Sequence, residues 1–403
     1  MRMSRRTSTL AVAALALTVA GCGGGSGSSD GSASSSKSSS SGESSKAPQS
    51  KVSVSSNIKA GATGVPVSKL LRLTASEGTF RTVQLATLKG VEVPGQMNAD
   101  RTGWHATSRL TSGKKYVVKA VAADASGTAR TWTARFDAAS LTKDEQTYPS
   151  VNPLPDANVG VGMPIMVHFD RPVKNKAAFE RNMHVTTSAG QTGSWYWIDD
   201  NTAHYRPQTY WQGGSTVNVD LDLASVDAGN GIYGQVDRKY SFKVGRSQVL
   251  KVSATTHQMK VIRDGKQIRQ IPITTGMAGF TTRSGTKVIV EKDLSHDMNS
   301  ETIGIDPNGP LGYNLKGVKY AMRLTFSGEF IHAAPWSVSS QGHANVSHGC
   351  TGLSNENAAW LFNNSMIGDP VEYTGTDKPM TLTNGYGDWN MSWADWQQGS
   401  ALT

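Results

Sequence analysis

Between residues 50 and 245 the apolar residues occur in short runs, which are separated by glycine, aspartate, asparagine and serine. Within a run, apolar and polar positions alternate, as in Thr216–Asp220 (Thr-Val-Asn-Val-Asp). A period of two places the apolar side chains on one face of a strand. This region is therefore predicted to consist of short strands joined by turns.

The same region contains a weak internal repeat. Gly64-Val-Pro-Val67 returns 98 residues later as Gly162-Met-Pro-Ile165, and the two copies close on strands containing Phe136 and Phe242. All-strand units of about 100 residues predict two tandem Ig-like β-sandwiches. Both a spacer and a substrate-contacting role stay open for them. The loop over residues 227–231 is read as a turn, with a Ca²⁺ site as the alternative.

Residues 246–375 are predicted to form a third, β-rich domain with one helix. Asp264-Gly265 is a hairpin signal between two of its strands. The predicted strands are Gln248–Ala254, His257–Arg263, Lys266–Ile273, Lys287–Glu291, Tyr320–Phe326, Glu329–Ala333 and Pro370–Thr374. The predicted helix covers Asn355–Asn364, with Ser354 as its N-cap, and its inner face holds Ala358, Leu361, Phe362 and Ser365. The predicted fold class is thus mainly β.

The last segment, residues 376–403, is rich in tryptophan. Trp389, Trp393 and Trp396 have the spacing of one helical face. This stripe is predicted to pack back onto the third domain or the preceding sandwich. A carbohydrate-binding aromatic strip is the alternative.

The N-terminal segment has the pattern of an export signal. A basic stretch with three arginines precedes the apolar run Leu10–Ala20, which is short for a membrane span, and Cys22 follows. From Cys22 to Ser56 serine fills 17 of the 35 positions, so that little apolar surface remains to bury. We predict a signal peptide over 1–21 and a flexible tether over 22–50. The bodies that follow are predicted at 51–147, 148–245 and 246–375, with an extension at 376–403.

Composition narrows the class of protein. An apolar fraction of 37% with 42 glycines indicates that part of the chain is not folded. Two cysteines exclude a disulfide-dense scaffold and a four-cysteine metal site. Removing the signal lowers the net charge from +9 to +6, which suits anionic wall polymers or lipid headgroups. No basic stripe with interleaved aromatics indicates nucleic-acid binding, and no other segment has the length and apolarity of a membrane span.

The second cysteine, Cys350, lies in Ser347-His-Gly-Cys350, 18 residues after His332. A thiol nucleophile needs a base, and a histidine on a neighbouring strand can supply it. Gly349 permits a sharp turn that aims backbone N–H groups at a developing oxyanion. A zinc site formed by His332, His348 and Cys350 is the alternative, but it lacks an evident fourth ligand.

These motifs resemble those of the L,D-transpeptidases, specifically the lipid-anchored subclass with two Ig-like domains. The resemblance is carried by Val19-Ala-Gly-Cys22, Ile331-His-Ala-Ala-Pro-Trp336, Asn345-Val-Ser-His-Gly-Cys350, Gly368-Asp-Pro-Val371 and Gly387-Asp-Trp389. It covers essentially the whole chain. It implies lipidation of Cys22 and an exported protein that is anchored to the outer face of the cell membrane and acts in the cell wall. A cleaved signal peptide with an incidental cysteine is the alternative.

The resemblance also implies a reaction. Such enzymes take a peptidoglycan tetrapeptide stem, release its terminal D-Ala through a cysteine thioester, and join the stem to an amine of another stem as a 3→3 crosslink. Carbapenem β-lactams are expected as covalent inhibitors, and no metal or cofactor is expected. Three alternatives stay open: an L,D-carboxypeptidase or wall hydrolase, transfer to a protein amine, and a non-enzymatic wall-binding lipoprotein.

Residue roles follow from the same resemblance. Cys350 is expected to be the nucleophile and His332 the base, oriented by the carbonyl group of Ala333. His348 and Gly349 are expected to shape the turn and the oxyanion pocket, with His348 as a second base as the alternative. The expected substrate contacts are Met298, Tyr313, Ser327, Gly328, Trp336 and Gly352. Gly352 stands where many members have Asn or Arg, and Ile303 where close relatives have a lid tyrosine, so those two contacts differ here.

Overall fold

The computed structural model describes residues 49–403. It is mainly β, and it contains the predicted Ig-like sandwiches followed by a β-rich domain, so the predicted fold class is confirmed. The predicted signal peptide, Cys22 and nearly all of the predicted tether lie outside the described residues. In the described part of the chain, none of the helices has the length and apolar character that a membrane crossing requires.

Two antiparallel sheets form the first sandwich, in the strand orders β1-β2-β6-β5 and β4-β3-β7-β8. Its strands are β1 (Ser53–Ser56), β2 (Arg72–Ser76), β3 (Thr79–Thr87), β4 (Glu92–Val93), β5 (Gly95–Met97), β6 (Gly103–Ala106), β7 (Lys115–Ala123) and β8 (Ala129–Asp137). On β7, Tyr116, Val118 and Ala120 are buried in turn and face the core. This is the period-two pattern that the sequence predicts.

The second sandwich has sheets ordered β10-β12-β15-β14 and β11-β19-β16-β13, with a small sheet β17-β18-β9 beside them. Its elements are β9 (Gln146–Thr147), β10 (Pro149–Asn152), β11 (Asn158–Val159), β12 (Ile165–Phe169), α1 (Lys176–Glu180), β13 (Met183–Thr187), β14 (Gly193–Trp197), β15 (Thr202–Pro207), β16 (Thr216–Leu221), β17 (Asp227–Gly229), β18 (Ile232–Gly234) and β19 (Arg238–Val244). The predicted turn at 227–231 is the β17–β18 hairpin, in which Asn230 and Gly231 have positive φ.

The third domain combines a five-stranded sheet, β22-β21-β20-β28-β23, with a four-stranded sheet, β24-β25-β26-β27. Its strands are β20 (Gln248–Ser253), β21 (Gln258–Arg263), β22 (Lys266–Pro272), β23 (Gly285–Val288), β24 (Glu291–Asn299), β25 (Asn314–Arg323), β26 (Phe330–Ala333), β27 (Thr351–Leu353) and β28 (Pro370–Thr374). Its helices are α2 (Asn355–Asn364) and the 3₁₀ helices Ser300–Ile303 and Pro335–Ser340, and the extension that follows contains the 3₁₀ helix Asp388–Asn390 and α3 (Trp393–Gln397). One core joins both sheets to Leu361 of α2.

Several elements of this domain match their predicted ranges. The helix and the strand β28 have the predicted bounds, and the hydroxyl of Ser354 accepts from the Asn357 N–H as an N-cap. The predicted strand Lys287–Glu291 is wrong, because β23 ends at Val288 and β24 begins at Glu291. The strands β24 and β27 were not predicted.

The predicted tryptophan face is corrected by the structure. Trp389 lies in a 3₁₀ helix and the other two tryptophans lie in α3, so no single helix carries all three. Their rings instead surround the buried guanidinium group of Arg206, with its central carbon 4.6–5.4 Å from the ring centroids. The extension thereby packs on the second sandwich, as predicted.

The second sandwich also contacts the third domain directly. The backbone N–H groups of Gly160 and Gly162 donate to the carbonyl groups of Ile367 and Gly368, each at 2.8 Å. A Cβ atom on Gly160 would lie 2.2 Å from the Asp369 nitrogen, so the two backbones approach too closely for a side chain there. The Gly162-Met-Pro-Ile165 motif therefore lies at the joint between the two domains.

Candidate active site

Parallel strand pairing brings the predicted base and nucleophile together. His332 belongs to β26, and Cys350 immediately precedes β27. The two strands run in parallel, with Ile331 opposite Thr351 and His332 opposite Gly352. The 18-residue separation in sequence is thus the length of the connection that parallel neighbours need.

The turn that carries Cys350 is held by three side-chain contacts. The hydroxyl of Ser347 donates to the Cys350 carbonyl group at 2.6 Å and accepts from the Gly349 N–H at 3.1 Å. The hydroxyl of Thr282 donates to the Gly349 carbonyl group at 2.8 Å. Gly349 has φ +121°, a conformation that side chains rarely adopt. Because its N–H is already bonded to Ser347, the Gly349 amide is engaged within the turn.

The imidazole of His332 has one fixed nitrogen. Its Nδ1 lies 2.8 Å from the carbonyl oxygen of Ala333, the contact that the resemblance implies. Since a carbonyl oxygen only accepts, Nδ1 carries the proton in a neutral ring and Nε2 is the free acceptor. Trp336 stacks on the ring at 5.9 Å, although 58% of its own surface is exposed.

Burial keeps both reacting groups uncharged. It lowers the pKa of His332, which is 5% exposed, against a smaller opposing effect of the Ala333 carbonyl group. It raises the pKa of the partly buried Cys350 thiol from 9.0 to about 11. The thiol lies 3.5 Å from the carbonyl oxygen of Gly328, which can accept its proton in a hydrogen bond. The resting pair is therefore a neutral thiol and a neutral imidazole.

Cys350 lies between two cavities. The first has a volume of about 240 Å³ and is lined by the sequence-predicted residues Met298, Tyr313, His332, Trp336, His348 and Gly352. The second has a volume of about 120 Å³ and is lined by Met298, Tyr313, Ser327 and Gly328, together with Ile303. Gly349 lines neither of these and faces a third cavity with His348. The sequence-predicted residues other than Cys22 thus gather around one thiol.

Two aromatic residues flank His348. Its ring centroid lies 4.6 Å from that of Phe280 and 5.0 Å from that of Tyr313. Its Nε2 is buried and makes no hydrogen bond within residues 49–403. Burial raises the pKa of Tyr313 to about 12, with a further contribution from Cys350, so its hydroxyl stays protonated at neutral pH. The ring contacts place the side chain of His348 in the wall of the site.

The two departures from the family pattern have visible packing consequences. A Cβ atom on Gly352 would lie 2.9 Å from the Cγ2 of Thr274 and 3.0 Å from the Cβ of Ala334. The place of the usual Asn or Arg is therefore occupied by neighbours. Ile303 lies close to Gly328, because a Cβ atom added to Gly328 would lie 3.1 Å from the Cγ2 of Ile303. An apolar side chain thus covers the turn at the second cavity.

Sequence reasoning missed a buried ionic cluster behind the thiol. Lys287, which is fully buried, pairs with Glu329, and Glu329 also pairs with Arg283 at 2.8 Å. The Lys287 ammonium lies 3.8 Å from the ring centroid of Tyr373. Within the cluster Glu329 raises the pKa of Cys350, and Lys287 lowers it by a smaller effect. A lysine directly before the apolar run Val288-Ile-Val290 was the available signal.

Comparison with known proteins places these features in a family. Residues 62–227 match the bacterial Ig domain, and residues 247–372 match the L,D-transpeptidase catalytic domain. L,D-transpeptidase 2 of Mycobacterium tuberculosis is 30% identical over 86% of this chain and 85% of its own length. L,D-transpeptidase 5 of the same species is 33% identical over 84% of this chain and 74% of its own length.

Solved structures are also similar. An L,D-transpeptidase in complex with imipenem is 36% identical, with a TM-score of 0.49, over 56% of this chain and 97% of that chain. L,D-transpeptidase 3 of Mycobacterium tuberculosis, in complex with a faropenem-derived adduct, is 32% identical, with a TM-score of 0.47, over 56% of this chain and 97% of that chain.

Proposed function

The chain belongs to the L,D-transpeptidase family, and we propose that it is a peptidoglycan transpeptidase that forms 3→3 crosslinks with Cys350 as its nucleophile. The observation that carries the proposal is the placement of Cys350 and His332 in one cavity, with the Nδ1 of His332 fixed by a carbonyl group. A neutral imidazole with a free Nε2 is the form that can accept a thiol proton.

The first half of the reaction is acylation. Nε2 of His332 takes the Cys350 proton as the sulfur attacks the carbonyl carbon between the third residue of the stem, a diamino acid, and the terminal D-Ala. The C–N bond breaks, His332 returns the proton to the departing amine of D-Ala, and a thioester remains on Cys350. The Cys350 N–H makes no hydrogen bond within residues 49–403, which leaves it available to the oxyanion.

The second half returns the enzyme to its starting state. A side-chain amine of another stem attacks the thioester carbonyl and gives its proton to His332. The C–S bond then breaks, and the sulfur takes the proton back. Cys350 lines both cavities, so two peptide chains have access to one sulfur atom from different sides. Attack by water would instead release a tripeptide, and attack by a protein amine would attach the stem to that protein.

Two further parts of the proposal concern partners. We propose that carbapenems acylate Cys350, as the resemblance of its motif implies; one similar solved structure is a complex with imipenem and another holds a faropenem-derived adduct. We also propose that the chain is exported and held at the outer face of the cell membrane by lipid on Cys22, as its sequence pattern indicates. The sandwiches then act as a spacer between the membrane and the wall.

The direct test measures D-Ala release and product masses from a tetrapeptide stem. Cys350→Ala and His332→Ala are expected to reduce release by at least about 1,000-fold, because each removes an obligatory partner of the proton transfer. His343→Ala is the matched control, since His343 is exposed in the same connection and lines neither cavity.

The products decide among the outcomes. Crosslinked dimer with one D-Ala lost supports transfer between stems, whereas tripeptide alone supports the carboxypeptidase and contradicts the transpeptidase. A stem attached to a protein amine would identify a different acceptor. Undiminished release by Cys350→Ala would contradict every reaction that uses this nucleophile.

A further inference from the structure

A residue of the C-terminal extension clamps the turn at the second cavity. The Oδ1 of Asn384 accepts from the Ser327 N–H at 2.9 Å, and its Nδ2 donates to the Ser327 hydroxyl at 2.9 Å. The two residues are 57 positions apart in the chain. The extension therefore holds the turn through both the backbone N–H and the side-chain hydroxyl of Ser327.

The tip of the turn has few other hydrogen bonds. The Gly328 N–H donates to the Thr325 carbonyl group at 3.3 Å, and the hydroxyl groups of Thr325 and Ser327 lie 3.3 Å apart. Phe326 is 60% exposed, and Gly328 has φ +97°. The base of the turn is closed by two bonds of 2.9 Å, from the Leu324 N–H to the Glu329 carbonyl group and from the Glu329 N–H to the Thr325 hydroxyl. The contacts at its tip are longer than those that Asn384 supplies, so the order of the tip at Ser327 and Gly328 depends on the extension.

This turn reaches the nucleophile. The carbonyl oxygen of Gly328 lies 3.5 Å from the Cys350 sulfur, and Ser327 and Gly328 line the second cavity beside it. The next residues are fixed independently, because Glu329 is held by Arg283 and Lys287 and Phe330 pairs with Arg323. A displacement of the turn would therefore move the Gly328 carbonyl group and leave β26 in place.

The extension is anchored on the second sandwich close to Asn384. The Nδ2 of Asn152 donates to the Tyr386 hydroxyl at 2.8 Å, and Trp389 donates to the Gly162 carbonyl group at 2.7 Å. A Cβ atom on Gly385 would lie 2.6 Å from the Leu324 carbonyl oxygen, so the extension follows the end of β25 closely. Contacts run without a break from the sandwich to the turn.

We infer that Asn384 is a positioning residue of the active site, which holds the Ser327–Gly328 turn so that the Gly328 carbonyl group faces the Cys350 thiol and the second cavity keeps its shape. The inference deepens the proposed function and rests on it for the effect on turnover. Its effect on the thiol does not depend on any peptide substrate.

The chain offers a matched control in the same extension. Asn390 makes the same kind of clamp: its Oδ1 accepts from the Thr286 N–H and its Nδ2 donates to the Thr286 carbonyl group, each at 2.7 Å. Thr286 lies in β23 and lines neither cavity. Asn384→Leu and Asn390→Leu thus each remove one two-bond clamp between the extension and the third domain, but only the first clamp reaches the site.

Two measurements separate positioning from simple stabilisation. For Asn384→Leu we expect kcat/KM for D-Ala release to fall at least about fivefold, because the second cavity loses its shape. Alkylation of Cys350 by iodoacetamide at pH 8 should instead become at least about threefold faster, since a thiol that loses its acceptor gives up its proton more easily. Asn390→Leu should leave both rates within about twofold of the unsubstituted chain.

Asn384→Asp should restore turnover, because a carboxylate accepts from both the Ser327 N–H and the Ser327 hydroxyl group. If Asn384→Leu does not fold, Asn384→Ala removes the same two bonds and takes its place. An alkylation rate for the Asn384 variant equal to that of the Asn390 variant would overturn the inference. If the unsubstituted chain releases no D-Ala, the proposed function fails, while the alkylation comparison still decides the role of Asn384.

Discussion

At Cys350, burial is the largest effect on the thiol and raises its pKa to about 11, and the charge of Glu329 adds to the rise. The backbone N–H of Phe330 and the charges of Lys287 and Arg323 lower it. His332 is kept neutral by its own burial. The thiolate is therefore scarce before substrate binds, and the proton must move to His332 when the attack begins. Cys350 and His332 are therefore neutral before substrate binds, and they form an ion pair only when the proton moves during the attack.

The first prediction concerns the pH dependence of thiol reactivity. Because the pKa of Cys350 is raised, the protonated form is favoured through neutral pH and the thiolate fraction grows about tenfold per pH unit below the pKa. Alkylation of the free enzyme by iodoacetamide should therefore keep rising from pH 7 to pH 10 without a plateau. A plateau reached below pH 8 would contradict the neutral resting pair.

The second prediction concerns Lys287. Burial lowers the pKa of Lys287 to about 8, so its ammonium charge is present at pH 7. Lys287→Met removes this charge behind the sulfur, so the thiol pKa should rise further and alkylation at pH 7 should become several-fold slower. The variant should also lose about 3–5 kcal/mol in its free energy of unfolding, because Glu329 keeps only Arg283 as an ionic partner.

Lys292→Met is the control for that experiment. Lys292 lies on the neighbouring strand β24 and donates to the carbonyl groups of Phe362 and Ser365, away from the thiol. The Lys292→Met variant should have a lower free energy of unfolding, with no change in the alkylation rate of Cys350. The added substitution Glu329→Gln in Lys287→Met should recover part of the lost stability. Equal alkylation rates for the two lysine variants would exclude the electrostatic role of Lys287.

At the scale of elements, local signals in the sequence explain what could be predicted. The helix Asn355–Asn364 has a capping serine and an apolar face, and β28 is a short apolar run, so both were predicted with their bounds. The strand Glu291–Asn299 is mostly polar and is defined by its pairing with β25, which no local pattern shows. The strand Thr351–Leu353 has three residues and exists through its pairing with β26.

The same distinction applies to the site. Gly349 and Cys350 share one short motif and His332 lies in a second motif 18 residues before Cys350, so the three could be predicted as a set. Lys287 and Asn384 reach the site only through sheet pairing and the return of the extension, and their sequence surroundings contain no motif. Chain reversal over long separations brings such residues together, and it depends on tertiary packing.

The third prediction concerns Gly352, in the bridge between β27 and the loop at Thr274. Their backbones exchange two hydrogen bonds, at 2.9 and 3.1 Å, so the neighbouring side chains are closely packed. Gly352→Ala should lower the free energy of unfolding by about 1–3 kcal/mol in urea denaturation, because the added methyl group meets the Cγ2 of Thr274.

Thr274→Ser removes that Cγ2 and keeps the hydroxyl that accepts from the Val346 N–H. The double variant should therefore recover part of the loss, whereas Thr274→Ser alone should have a small effect. If the losses in free energy of unfolding of the two single variants simply add in the double variant, contact with the Thr274 Cγ2 is not the cause of the loss in Gly352→Ala.

At the scale of the whole molecule, the second sandwich packs against the third domain. Arg246 pairs with the fully buried Asp369 at the joint, and the extension returns from the third domain to surround Arg206. The order of the sandwiches and the β-rich domain was predictable from the repeat and the motifs. The path of the extension back across the third domain and the second sandwich was not predictable. The tryptophan pattern indicates that these side chains pack against something, but it does not indicate which surface they pack against.

The fourth prediction concerns membrane attachment through Cys22, which lies outside the described residues. In a bacterium that processes lipoproteins, Cys22→Ala should move the protein from the membrane fraction to the soluble exported fraction, because the acyl chains provide the anchoring energy. Ser26→Ala is the control and should stay with the membrane. Unchanged membrane association of Cys22→Ala would contradict lipid anchoring.

The most direct test is the mass of the Cys350-containing peptide after the full chain is mixed with a tetrapeptide stem and quenched in acid. We predict an added mass equal to the stem minus D-Ala on that peptide, sensitive to hydroxylamine as a thioester is, and its absence in Cys350→Ala. D-Ala release without an adduct on Cys350, or an adduct on another residue, would contradict the assignment of Cys350 as the acyl carrier.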